Sequence, residues 1–219
     1  MARKYFIFLY PANSRIKALL NLAVYSLNPK EKWPAHVTVA GPFARRPSYV
    51  KGLPPHTTVF SMHIGNFFAD GINTVHLRIG MTGIWNIWNK PDFRGNPIPH
   101  LSLYNGDSVD EATTIFNRLV LLNPSFAFAV TNPTIVTSVS RQETTALREQ
   151  VDTSLITRTR DLKIDDIKNL DFESRLLIAE DAIRGCLLPV KVEHQNIFRM
   201  LGFNTSLFDQ SSRGPSTKS

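Results

Sequence analysis

Two short stretches of the chain set a histidine two residues ahead of a hydroxyl. The first is Pro34-Ala35-His36-Val37-Thr38-Val39 and the second is Pro97-Ile98-Pro99-His100-Leu101-Ser102-Leu103. Both read histidine, apolar, Thr or Ser, apolar. Successive side chains on a strand point to opposite faces, so His36 and Thr38 share one face while Val37 and Val39 share the other. The second stretch likewise puts His100 with Ser102, and Leu101 with Leu103. If the two strands lie side by side, two imidazoles and two hydroxyls converge on one small space. Phosphate ester chemistry can use that set: one imidazole takes a proton, the other gives one, and the hydroxyls hold phosphoryl oxygens. An imidazole titrates near 6.5 when unperturbed, so one neutral and one protonated ring can coexist near pH 7.

The flanking sequence predicts elements able to carry these stretches. Tyr5 to Tyr10 reads as a buried strand. Asn13 or Ser14 is placed to cap a helix whose apolar residues Ile16, Leu19, Leu20, Ala23, Val24 and Leu27 fall along one face, and Asn28-Pro29 ends it. The His36 strand follows and is expected to stop at Gly41-Pro42. Thr57 to Phe68 and Ile72 to Ile79 predict a hairpin around Ala69-Asp70-Gly71. A short helix with Trp85 and Trp88 is expected over Met81 to Asn89. A proline-rich loop then leads to His100. Ser108 and Glu111 have the spacing of a capping box, ahead of Ala112, Ile115, Phe116, Leu119 and Leu122 at helical intervals. Phe126 to Val130 and Thr134 to Val139 predict two more strands. From Gln142 to about Phe208 the chain is charged and leans to helix, with Phe172, Leu176, Ala179 and Ile183 on one face, Gly185 as a stop, and one more helix over Val192 to Leu201. Ser211 to Ser219 is polar and expected to be disordered.

At 219 residues the chain suits one domain with an appendage or two small lobes. No apolar run approaches the ~20 residues of a membrane span. The basic-then-apolar N-terminus lacks a small-residue cleavage site and reads as a first strand, not a leader. Cys186 is the only cysteine, so no intrachain disulfide or cysteine cluster can form, which fits a reducing cytosol. The net charge of +7 favours anionic partners such as nucleotides and RNA ends.

With both motifs placed, the sequence resembles the 2H phosphoesterase superfamily, which includes RNA 2',5' ligase-like proteins and cyclic phosphodiesterases. Its signature is two His-x-Thr/Ser-x motifs on strands, matched here by His36-Val37-Thr38-Val39 and His100-Leu101-Ser102-Leu103. Gly41-Pro42-Phe43 after the first motif, the Phe60 to Ile79 hairpin and Pro99 before the second motif are similar to that family too. The likeness covers about residues 4 to 140. It implies an α+β fold of two lobes related by a pseudo-twofold, with antiparallel sheets flanking a central cleft. The expected domains are a core over 1–141, a helical C-terminal extension over 142–208 and a tail over 209–219. It further implies a cytoplasmic, metal-independent and cofactor-free phosphodiesterase. Its substrate would be an RNA end or a small, cyclic or 2'-linked, nucleotide, with no membrane partner. His36, Thr38, His100 and Ser102 are the expected catalytic set. Phe43 and Tyr104, just past the motif strands, are candidates to stack a base. Arg45, Arg46 and Lys51 are candidates to steer a phosphate.

Two other readings use the same residues differently. A non-catalytic RNA or nucleotide binder could keep the fold without turnover. A metal-dependent phosphohydrolase could draw on His56, His63 and His76, although these show no recognised ligand spacing. His56, His63, His76 and His194 are otherwise expected to be surface or packing residues.

Overall fold

The structure is a computed structural model. It describes residues 4–31, 33–48, 50, 52, 58–69, 72–81, 87, 99–137 and 147–187. The helix expected around Trp85 and Trp88, the proline loop before Pro99, the expected helix over Val192 to Leu201 and the polar tail lie outside these residues. Chain contacts divide the molecule into Met1–Cys186 and Leu187–Ser219, and the elements below belong to the first unit.

The fold is α+β, built on an antiparallel sheet. Its strands are β1 (Tyr5–Leu9), β2 (Val37–Phe43), β3 (Thr58–Ala69), β4 (Ile72–Met81), β5 (His100–Gly106), β6 (Phe126–Ala129) and β7 (Thr134–Thr137), in the order β6-β3-β4-β5-β2-β1-β7. β3 and β4 form the expected hairpin, from Val59↔Met81 to Ala69↔Ile72. The centre of the sheet is its thinnest seam. β2 and β5 share the single register pair Val37↔Leu101, whereas β1 and β7 pair from Tyr5↔Thr137 to Phe8↔Thr134.

Helices cover one face. α1 (Ser14–Leu27) packs on β5, and α2 (Val109–Val120) packs on β3, β4 and β5. Both start where side-chain caps were expected. Asn13 accepts the Ile16 N–H and Ser108 accepts the Glu111 N–H, each satisfying one orphan donor of the first turn. Val37, Val39, Val75, Leu77, Leu101 and Leu103 are sealed in the core.

Two expectations about boundaries are corrected. Gly41-Pro42 does not end the second strand, which runs on to Phe43. Gly41 takes φ 113°, open to glycine alone without strain, and a Cβ there would fall 2.7 Å from the Tyr5 carbonyl oxygen. The strand therefore stays pressed against β1 through a register shift between Tyr5 and Ile7. Gly185 does not stop the last helix, which spans Phe172–Leu187. Its bare Cα instead allows close approach to α1, since a Cβ would lie 3.0 Å from Leu19 Cδ2.

That approach also accounts for the burial of α1. Its apolar stripe predicts one buried face, yet every residue from Leu19 to Leu27 is buried, Asn21 and Ser26 included. The segment 147–187 covers the side turned away from the sheet. It consists of 3₁₀ turns at Arg148–Gln150, Thr153–Leu155 and Thr157–Thr159, a one-turn helix α3 (Ile164–Ile167) and the long helix α4 (Phe172–Leu187). Asn21 Nδ2 donates to the Gln150 carbonyl at 3.3 Å, and Arg175 donates to the Ser26 carbonyl at 3.1 Å. From α2, Arg118 reaches Glu173 at 2.8 Å and the buried Glu180 at 2.7 Å. Cys186 is buried on α4, and burial pushes its thiol up to about 12.

Candidate active site

The seam between β2 and β5 is where the two motifs meet. The antiparallel pair Val37↔Leu101 sets His36 across from Ser102 and Thr38 across from His100, one step to either side. All four side chains are partly exposed, while Val37, Val39, Leu101 and Leu103 behind them are buried. The two imidazoles occupy one diagonal of a four-cornered array and the two hydroxyls the other. His36 and His100 lie close enough for a charge on one to oppose a charge on the other.

Both motifs are tied at the residues before the histidine. Asn21, fully buried on α1, accepts the Ala35 N–H through Oδ1 at 2.8 Å. His36 Nδ1 lies 2.7 Å from the Pro34 carbonyl oxygen. A carbonyl can only accept, so this contact places the ring hydrogen on Nδ1 and leaves Nε2 with its lone pair. On the other strand, the Ile79 N–H donates to the Pro99 carbonyl at 2.9 Å, fixing the residue ahead of His100 to β4.

Cross-strand pairs extend the array on both sides. On β1, Phe8 sits across from Thr38 and Leu9 across from Val37, which puts Tyr10 beside His36. The Phe8 ring stacks on the His36 imidazole with centroids 3.7 Å apart and planes 19° from parallel. Tyr10 and Trp33 stand edge-on around it, with centroids 6.3 Å and 6.5 Å from His36. This apolar collar lowers the His36 pKa to about 4; burial is the main cause, the Pro34 contact opposes it, and His100 adds to it. His36 is therefore neutral at pH 7.

On β4, Arg78 sits across from His100 and His76 across from Ser102. His76 is buried, and its ring centroid lies 4.9 Å from that of His100. Arg78 is exposed. Read across four strands, one row is Phe8, Thr38, His100 and Arg78, and the next is Tyr10, His36, Ser102 and His76.

Of the residues expected to bind substrate, Phe43, Tyr104, Arg45 and Arg46 do not join this array. Tyr104 is a correction. A register shift between Val75 and His76 turns it to the helix side, across from Val75. There it is buried, and its hydroxyl donates to Glu111 on α2 at 3.0 Å. That bond and burial both raise its pKa, burial more. Phe43 lies at the far end of β2 across from Tyr5, five residues past Thr38, or roughly 16 Å along a strand. Arg45 and Arg46 come later still and are exposed. Lys51, His56 and the side chain of His63 lie outside the described residues. Residues next to the motifs in the chain are carried away from the site along the strands. Phe8, Tyr10, His76 and Arg78 arrive by pairing from distant positions.

Among the described residues no three His, Cys, Asp or Glu side chains gather as a metal-binding group, and no helix is long and apolar enough to cross a membrane. No family model and no curated protein matches the chain.

Proposed function

We propose that this protein is a metal-independent phosphodiesterase that cleaves cyclic or 2'-linked phosphodiesters of RNA ends or small oligonucleotides. The observation that carries the reading is the Val37↔Leu101 pair, which gathers both His-x-hydroxyl motifs on one partly open face. In this reading the sheet has two lobes of the 2H phosphoesterase type, β7-β1-β2 and β6-β3-β4-β5, meeting at that seam.

The two histidines divide the work. His36, neutral and with Nε2 unprotonated, takes a proton from the attacking water or, in a 2'-linked substrate, from the neighbouring 3'-hydroxyl. The attacking oxygen bonds to phosphorus as the bond to the leaving oxygen breaks. His100, protonated, gives its proton to that leaving oxygen. The repulsion between the rings favours this single-proton state, because a proton on His100 disfavours one on His36. Thr38 and Ser102, on the other diagonal, donate to the non-bridging oxygens as charge grows there. Losing one such donor costs ~10²–10³ in rate by comparison with oxyanion holes. The lone, buried Cys186 suits a reducing compartment, and we infer a cytoplasmic protein.

The test is a substrate panel in excess chelator: 2',3'-cyclic nucleotides, 2',5'- and 3',5'-linked dinucleotides, and cyclic di- and trinucleotides. Turnover of at least one, lost in His36→Ala with binding retained, is the expected result. Binding without turnover in the wild-type protein would overturn the reading in favour of a binder. Activity lost to chelator and restored by a divalent cation would overturn it in favour of a metal enzyme.

A further inference from the structure

The site is lopsided. On the His36 side its neighbours are aromatic, and on the His100 side they are a histidine and a cation. Arg78 is exposed on the same face as the four motif residues, across from His100. Among the described residues it has no ion pair or hydrogen-bond partner, in contrast to Arg118, Arg148 and Arg158, which all pair with carboxylates. A guanidinium forks onto phosphate oxygens in a fixed plane, so an unpaired one beside the two histidines and two hydroxyls is a ready anion receptor.

Its place also says which anion. Thr38 and Ser102 already flank the scissile phosphate between the histidines. Arg78 stands outside those four corners, one strand spacing (~4.8 Å) beyond His100. Resting on the phosphodiesterase reading above, in which His100 protonates the leaving oxygen, we propose that Arg78 binds a second phosphate carried by the leaving group. The preferred substrate is then an oligonucleotide with a further phosphate beyond the cleaved bond, and not a cyclic mononucleotide, whose one phosphate is the reacting group. Among the described residues the rings around His36 are the uncharged Phe8, Tyr10 and Trp33, so the discrimination is expected on the leaving side.

The experiment compares two dinucleotides with the linkage the panel identifies, ApA and ApAp, which differ only by a 3'-phosphate on the leaving nucleoside. The wild-type protein is expected to favour ApAp about tenfold in kcat/KM, through KM, with the advantage shrinking as salt rises. Arg78→Gln is expected to bring the ratio near one, and Arg78→Lys to keep part of it, since an ammonium supplies charge without the fork. A wild-type ratio near one, a ratio that survives in Arg78→Gln, or cleavage confined to cyclic mononucleotides would overturn the inference and leave the phosphodiesterase reading intact. Cleavage of no substrate at all would overturn both.

Discussion

The two motifs have nearly the same sequence and opposite surroundings. His36 is pressed between the Phe8 ring and the edges of Tyr10 and Trp33, with one nitrogen bound to a carbonyl. His100 lies against a second imidazole and across from a guanidinium. The helices behind them differ in the same way. α1, on the first-motif side, is buried all round from Leu19 to Leu27, between the sheet and segment 147–187, whereas α2 buries only Ala112, Ile115 and Leu119 and leaves Val120 exposed. A repeated tetrapeptide therefore does not fix what its histidine does. Neighbours one strand away decide, by setting how much water and how much charge each ring meets.

The sharpest break in that comparison comes from removing each ring. His36→Ala and His100→Ala are each expected to lower kcat/KM by ~10²–10⁴, but with different pH profiles. On the phosphodiesterase proposal, the wild-type acid limb should belong to His36 and fall as pH drops through about 4, where the ring gains a proton and ceases to be a base. His100→Ala should keep that limb, and His36→Ala should lose it. Phe8→Leu strips the stacked face and lets water in, so the limb should climb toward 6.5 by about one unit. A limb that stays put would mean that the aromatic collar does not set the state of His36.

The same ring links acidity to stability. Its folded pKa, about 4, lies below the unfolded value near 6.5, so the unfolded chain binds the extra proton more readily. The contribution of neutral His36 is complete above about 6.5 and is lost as pH falls through about 4. Urea midpoints measured across that window should drop with pH in the wild-type protein and drop less in His36→Ala.

Much of this was legible in the chain. The alternation in His36–Val39 and His100–Leu103 is a local, period-two signal, and so are the caps at Asn13 and Ser108. Each depends on residues within one turn or a few positions. What surrounds the site was not legible, because cross-strand neighbours have no fixed distance in sequence: Phe8 reaches His36 by way of α1, and Arg78 reaches His100 across the β4–β5 pairing. The second buried face of α1 was hidden for another reason. Asn21 and Ser26 are polar, and a stripe count scores them as solvent-facing. Yet Asn21 meets the Ala35 N–H and the Gln150 carbonyl, and Ser26 donates to the Leu22 carbonyl, so neither is buried unsatisfied.

The contrast between the two helices can be sharpened at Gly185. A Cβ there would already meet Leu19 Cδ2 at 3.0 Å and Cδ1 at 3.2 Å, and valine adds further bulk beside a fully buried leucine. Gly185→Val should cost ~1–3 kcal/mol of stability by overpacking. An unchanged urea midpoint would show that α4 does not close against α1.

The smallest effect is expected at Tyr104, and it tests which side of β5 belongs to the chemistry. Its hydroxyl donates to Glu111 at the start of α2, behind the sheet from the histidines. Tyr104→Phe keeps the ring, the packing and the backbone, and removes only that bond. Glu111 stays close to the positive end of the α2 dipole, which softens the loss. The expected cost is ~0.5–1.5 kcal/mol of stability, read from the urea midpoint, with kcat/KM within about twofold of wild type. A base stacked on Tyr104 would give the reverse pattern, an intact midpoint and a raised KM. That outcome would place Tyr104 on the face of His100 and Ser102, with the chemistry reaching past the bulge at Leu103.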